Sequence, residues 1–192
     1  MNIVLLITFV VFILSYLIRR DVWNDRMCYV KSNINGKEYR VRKLEDKQKA
    51  CDLLASTHEK MLNFCKHLYE KYPDDKRVVK VMKRFPNTVL CESDGYGNQT
   101  SYSINKGEKI VLCIRMKDGT NNLVDDNLLL FVALHELSHI MTKSVGHKQE
   151  FWDNFKFVLK EAQDNGYYKC IDFTSRPQKY CGIEVTSSPQ SC

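Results

Sequence analysis

The chain of 192 residues predicts an α+β domain behind an apolar N-terminal helix. Three observations predict it. Long stretches with apolar residues near a 3.6 period lie at 44–72, 128–140 and 151–162; short β-rich runs at 28–42, 88–92 and 102–115 are punctuated by glycine turns; and residues 3–18 are almost uninterruptedly apolar. About 170 residues follow the first twenty, enough for one domain with a real core.

The apolar stretch 3–18 is interrupted only by Thr8, Ser15 and Tyr16. As a helix it would span about 24 Å against a hydrocarbon core of about 30 Å, and Met1, Val22 and Trp23 extend it. A cleaved leader would want positive charge before the run and small residues after it, and the chain has neither. Arg19 and Arg20 follow instead, which by the positive-inside rule keeps the downstream domain cytoplasmic. The expected organisation is a single-pass transmembrane anchor at 1–20, a catalytic domain at 24–186 and a flexible tail at 187–192. The net charge of +6 marks neither a dedicated nucleic-acid protein nor an acidic one.

Residues 28–42 read as a hairpin around Asn35-Gly36. Residues 44–72 read as a long helix ended by Pro73, with Ala50, Leu53, Leu54, Met61, Cys65, Leu68 and Tyr72 on one side. A short helix at 75–84 sets Val78, Val79 and Met82 against Lys76, Lys80, Lys83 and Arg84. That basic face suits solvent, anionic lipid or nucleic acid. Strands are expected at 88–92, at 102–104 and at 110–115, the last two joined by the turn Asn105-Lys106-Gly107. The run 110–114 is either the edge strand of a substrate cleft or a covered core strand.

Asp125 or Asp126 caps the next helix, and this helix carries the chemistry. His135-Glu136-Leu137-Ser138-His139 is an H-E-x-x-H motif. Four helical residues turn through about 400° and rise about 6 Å, so His135 and His139 project from one face and can hold one ion. Glu136, one step round, suits a general base for a water activated by that ion. The neighbours Phe131, Val132, Ala133, Leu134, Leu137 and Ile140 are apolar, so the motif sits on a buried helix, where unpartnered histidines and a glutamate would be costly.

Three of the five histidines fall between 135 and 147. Were the helix to continue, His147 would lie roughly 12 Å beyond His139, too far to share an ion. The helix must therefore stop, and Gly146 is the expected place because glycine accepts the left-handed conformation. His147 then swings back as a third ligand, leaving a fourth position open as catalytic zinc sites do. His58 and His67 lie in the long helical pattern and carry core-edge or surface roles.

The segment 131–140, Gly146-His147 and Phe151-Trp152 resemble the zincin-like metallopeptidases of the WLM and SprT-like group. With residues 100–115 added, the chain is similar to WLM-type metallopeptidases of giant nucleocytoplasmic DNA viruses. The resemblance covers roughly residues 85–185. It implies a zincin-like fold, Zn2+ held by His135, His139 and His147, Glu136 as catalytic base, and a polypeptide substrate. Thr142 and Val145 stand where a metzincin has glycine and its third histidine. A gluzincin would take a glutamate from the next helix, and Glu161 is the alternative ligand. The SprT-like resemblance suggests proteins crosslinked to DNA as substrates, the apolar N terminus membrane-proximal ones. Two other readings stand beside hydrolysis: a membrane protein whose zinc site only stabilises the fold, and a DNA-associated scaffold using residues 76–84.

After His147, Phe151, Phe155, Val158, Leu159 and Ala162 form an inward stripe closed by Asn165-Gly166, and Phe151 is expected to buttress the ligands. Residues 167–182 read as irregular. Tyr102, Tyr167, Tyr168 and Tyr180 are each able to donate to an oxyanion, and nothing local singles one out. The eight cysteines contain no C-x-x-C pair. Buried thiols are the default expectation, with Cys170–Cys181 the first disulfide to test in an oxidising compartment.

Overall fold

A computed structural model describes residues 3–192 apart from 98 and 99, and in the first helix the side chains of residues 5–16. The chain runs α1 (Ile3–Asp25), β1 (Met27–Lys31), β2 (Glu38–Arg42), α2 (Lys47–Lys71), α3 (Lys76–Arg84), a 3-10 turn (Phe85–Asn87), β3 (Val89–Glu92), β4 (Tyr102–Ile104), β5 (Lys109–Leu112), α4 (Asp126–Met141), α5 (Gln149–Asp164), β6 (Gln178–Tyr180) and β7 (Ile183–Val185). The α+β expectation holds.

The segment expected to be the anchor is helical, and its crossing of a membrane is not borne out. Its side chains from Leu5 to Tyr16 are exposed, and among the described residues no helix is long and apolar enough to cross a membrane. The side chains of Arg19 and Arg20, which carried the orientation, and of Val22 and Trp23, which were to lengthen the span, lie outside the described residues, as does Met1.

Five strands form one mixed sheet in the order β1-β2-β3-β5-β4. β1 and β2 are the expected hairpin, paired Met27 to Arg42 and Lys31 to Glu38, with Gly36 at φ 70° in the connecting turn. β2, β3 and β5 run parallel, and β4 returns antiparallel to β5 with Tyr102 opposite Val111. The run 110–114 is therefore interior and its residues are buried. The edge is β4. The physical reason is the turn at 105–107, which folds the shorter, more polar arm outward and keeps the apolar arm in the sheet.

α2 covers β1, β2 and β3, and α4 packs between α2, α3 and α5. Asp75 caps α3 by accepting from the Arg77 N–H at 2.8 Å, and Asp125 caps α4 by accepting from Asn127 and Leu128 N–H, both at 3.0 Å. A buried ion network ties the layers. Arg115, 3% exposed, donates from Nε to Glu92 Oε1 and from Nη1 to Asp46 Oδ2, each at 2.7 Å, while Arg42 N–H donates to Glu92 Oε2 at 2.7 Å.

The C-terminal region contains a hairpin that its composition did not announce. β6 and β7 pair around Cys181-Gly182, both at positive φ (49° and 82°). Disulfides join Cys113 to Cys181 and Cys170 to Cys192, so the expected Cys170–Cys181 pairing is corrected: the tight turn at 181–182 carries Cys181 towards Cys113 instead. Cys28, Cys51, Cys65 and Cys91 are free and all but Cys28 are buried, so the expectation of reduced, mostly buried thiols holds for these four and is corrected for the four in disulfides. Residues 187–192 have no regular structure and are tied back at Cys192.

Candidate metal centre and catalytic cleft

α4 is apolar on nearly all sides, with Leu128, Leu129, Leu130, Phe131, Ala133, Leu134, Leu137, Ile140 and Met141 buried. Burial on every face fixes its rotation, so the two motif histidines leave it in one direction. Their ring centroids are 5.0 Å apart.

The helix ends earlier than expected, and this corrects the stop placed at Gly146. Met141 is its last residue, and Thr142 turns extended (φ −78°, ψ 140°). Three cations and one carboxylate explain the stop. Lys80 Nζ donates to Thr142 O at 3.0 Å, and Lys106 Nζ donates to the carbonyls of Thr142 (3.1 Å), Lys143 and Ser144 (3.2 Å). These ammonium groups hold the carbonyls of the C-cap Thr142 and of the two residues after it, at the negative end of the helix. Arg84 in turn holds Lys106 O at 3.1 Å. Glu150 accepts from the N–H of Lys143 (2.9 Å) and Ser144 (3.0 Å). Those two bonds hold the Glu150 carboxyl down to about 2.

Lys106 reaches the loop because the turn at 105–107 presses on α4. A Cβ on Gly107 would lie 2.4 Å from Ile140 Cδ1, and its φ is 99°, so only glycine permits that approach. Gly146 does adopt the left-handed conformation (φ 76°), as the last turn before His147.

His147 then returns to the pair. Its Nε2 lies 3.0 Å from His135 Nε2, and one nitrogen from each of His135, His139 and His147 lies within 4.8 Å of the others. Zinc–nitrogen bonds of about 2.0–2.1 Å at tetrahedral angles would set such nitrogens about 3.3 Å apart. The donor set therefore fits a zinc ion. Phe151 stands behind all three imidazoles, with centroid distances of 4.7 Å to His135, 4.4 Å to His139 and 4.6 Å to His147, stacked on His139. Trp152 lies 5.7 Å from His147 on its outer side.

Electrostatics favour the ligand state. Burial, with the neighbouring imidazoles, lowers His135 to about 3 and His139 to about 4, so both are neutral with a lone pair to give. Glu136, 4% exposed, is pushed up to about 7 by burial.

The trio and Glu136 open into a cavity of about 680 Å³ whose walls include Thr100, Ser101 and Tyr102 before and on β4, Phe131, Val132 and Phe155 from the helices, and Tyr180, Ile183 and Val185 from the C-terminal hairpin. Most of that lining is apolar. The exposed edge β4 borders it.

Other expected residues fall elsewhere. Glu161 is neither a ligand nor solvent-facing: 5% exposed, it accepts from Lys71 Nζ at 2.7 Å and Tyr72 O–H at 2.8 Å. His58 is a core residue, with Nδ1 2.8 Å from Tyr39 Oη and its ring edge-on to Phe85. His67 packs on Tyr167. Of the basic face 76–84, Lys80 and Arg84 are turned to backbone carbonyls. The supports Lys106 and Glu150 were missed, because a surface lysine in a turn and a glutamate in a first helical turn look ordinary in one dimension.

Fold and site together define a class: an α+β protein with three converging histidines and a buried glutamate on a buried helix. The chain is 31% identical over 188 residues to the uncharacterized protein R325 of Acanthamoeba polyphaga mimivirus, a match spanning 96% of this chain and 93% of that one. It belongs to the family of that protein. It is also 44% identical over 81 residues to the uncharacterized protein 136R of Invertebrate iridescent virus 6, covering 42% of this chain and 45% of that protein's length. No family model matches the chain. Among solved structures, Wss1 from Saccharomyces cerevisiae superposes with a TM-score of 0.49 at 18% identity over 66% of this chain and 89% of the other. A Wss1 mutant from S. pombe superposes with a TM-score of 0.44 at 22% identity over 64% and 92%.

Proposed function

We propose that the protein is a zinc-dependent peptidase of the zincin type, in which His135, His139 and His147 hold the metal and Glu136 is the general base. One observation carries the reading: three imidazoles converge at ligand spacing beside a buried carboxyl group, in a cavity bordered by an exposed sheet edge. A zinc ion held there would supply a Lewis acid for the scissile carbonyl and for the attacking water. Glu136 takes the water's proton and returns it to the departing amine. β4 offers unpaired backbone groups to an extended polypeptide, which adds as a further strand while the apolar walls accept side chains. The substrate is therefore a polypeptide in extended form.

The test is bound-metal analysis of the purified chain with proteolysis of casein by the parent and by Glu136→Gln. The reading expects zinc in both and turnover in the parent alone. Equal turnover would falsify the mechanism, and zinc with no turnover in either would favour a site that only stabilises the fold.

Membrane attachment through α1 is the second part of the reading. The observation behind it is a helix whose side chains from Leu5 to Tyr16, apolar apart from Thr8, Ser15 and Tyr16, are exposed on every side, a surface with no partner in water. The two disulfides weigh against the cytosol-facing orientation expected from Arg19 and Arg20, since such bonds persist in oxidising surroundings. Flotation with lipid vesicles tests attachment: the chain should float and Phe12→Lys should float less.

A further inference from the structure

We propose that the phenol of Tyr180 is the donor that stabilises the oxyanion formed during peptide hydrolysis; this rests on the peptidase reading above. Four tyrosines were equivalent in the sequence, and the structure separates them. Tyr167 packs on Phe64 and His67, and Tyr168 spends its oxygen accepting the Ile171 N–H at 3.3 Å. Neither lines the cavity. Tyr102 does, but the ionisable groups that act on its hydroxyl are Cys91, Asp94 and Arg40, on the sheet rather than the metal centre. Tyr180 lines the cavity, is 2% exposed, and the charge that acts on its hydroxyl is Glu136.

Its proton is aimed by its neighbours. The Cys113 N–H donates to Ser101 Oγ at 2.9 Å, and Ser101 Oγ lies 2.6 Å from Tyr180 Oη. Ser101 Oγ, anchored by the Cys113 N–H, can give its own proton to Tyr180 Oη, and in that arrangement the phenol proton is turned to the cavity. Each donor in that chain polarises the next in the same direction. The geometry is fixed covalently as well: Cys181, the next residue, is bonded to Cys113, the residue that starts the relay. A donor held in place before the reaction needs no reorganisation when charge develops.

In the step itself, the water oxygen bonds to the carbonyl carbon, its proton passes to Glu136, and the carbonyl π pair moves onto oxygen. Tyr180 donates a hydrogen bond to that oxygen and keeps its proton. Collapse restores the carbonyl, breaks the C–N bond, and the proton on Glu136 goes to the amine.

The experiment compares zinc-loaded full-length parent, Tyr180→Phe, Ser101→Ala and Glu136→Gln on one peptide, with separate titration by a phosphinic analogue of that peptide, whose tetrahedral phosphorus carries the oxyanion charge. Tyr180→Phe keeps the ring and removes the donor. It is expected to lose about 10²–10³-fold in kcat with KM changed by less than about three-fold, to bind the phosphinate more weakly by a similar factor, and to retain its zinc. Ser101→Ala, which frees the phenol to rotate, should show a smaller loss of the same kind. A Tyr180→Phe form with parental kcat, or a loss expressed only in KM or in zinc content, overturns the proposal. Should Tyr180→Phe not fold, unchanged kcat in Ser101→Ala overturns it as well. If the parent cleaves and Glu136→Gln does not, that failure is Tyr180's alone; if the parent neither cleaves nor binds the phosphinate, the peptidase reading fails and this goes with it.

Discussion

At the residue scale, His147 is the side chain on which the proposed centre depends, since it is the one proposed ligand that α4 does not itself place. His147→Ala should lower zinc affinity by more than about 100-fold, beyond the 10–100-fold usual for losing a group that merely orients a ligand; competition with a chelating dye measures it. Phe151 touches all three imidazoles and is fully buried. Phe151→Ala should cost about 3–5 kcal/mol of stability and loosen all three rings together. A denaturant melt in the presence and absence of zinc separates the two effects. His135, Glu136 and His139 were legible from spacing alone, because a helix converts a four-residue interval into a shared face. Tyr180 was not, because its partners Ser101 and Cys113 are distant in sequence.

At the element scale, the loop 142–147 decides whether the third ligand arrives. Lys80 and Lys106 hold its carbonyls and Glu150 its N–H groups. The Glu150 carboxyl lies below its ordinary value, so its contribution is complete above about pH 5 and is lost as pH falls towards 2. Protection of the Lys143 and Ser144 amides in the metal-free protein, taken against the intrinsic exchange rate at each pH, should fall through that window, and in Glu150→Gln the dependence should be absent. The sign would be reversed for a group with a raised value, which makes the profile diagnostic. The cap of α4 is a second case: Asp125→Ala should cost about 1 kcal/mol without moving the histidines, read as a shift in urea midpoint.

At the scale of the whole molecule, the sheet and the C-terminal hairpin meet along the cleft, where Ser101 Oγ lies 2.6 Å from Tyr180 Oη and the Cys113–Cys181 bond joins them across 68 residues of sequence. Closing a loop of that length stabilises a fold by about 4 kcal/mol in the chain-entropy model. Reduction should therefore lower the urea midpoint substantially, and Cys113→Ser with Cys181→Ser should reproduce most of the loss. The Arg115–Glu92–Asp46 network ties β3 to the start of α2, and removing Arg115 would leave Glu92 buried without its charged partner, at about 3–5 kcal/mol.

What the sequence determined by itself was everything set by short intervals: the motif helix and a cap at one of two adjacent aspartates, the necessity that this helix end before His147, the β1–β2 hairpin, and the inward stripe of α5. Periodicity and turn chemistry are local, and they act over a few residues. What only the tertiary structure decided was which strand borders the cavity as an edge, where α4 stops, which cysteines meet and which tyrosines line the cavity. Each of these depends on a contact between segments far apart in the chain, Gly107 on Ile140, Lys106 on Thr142, Cys113 on Cys181, and no local pattern encodes such a meeting.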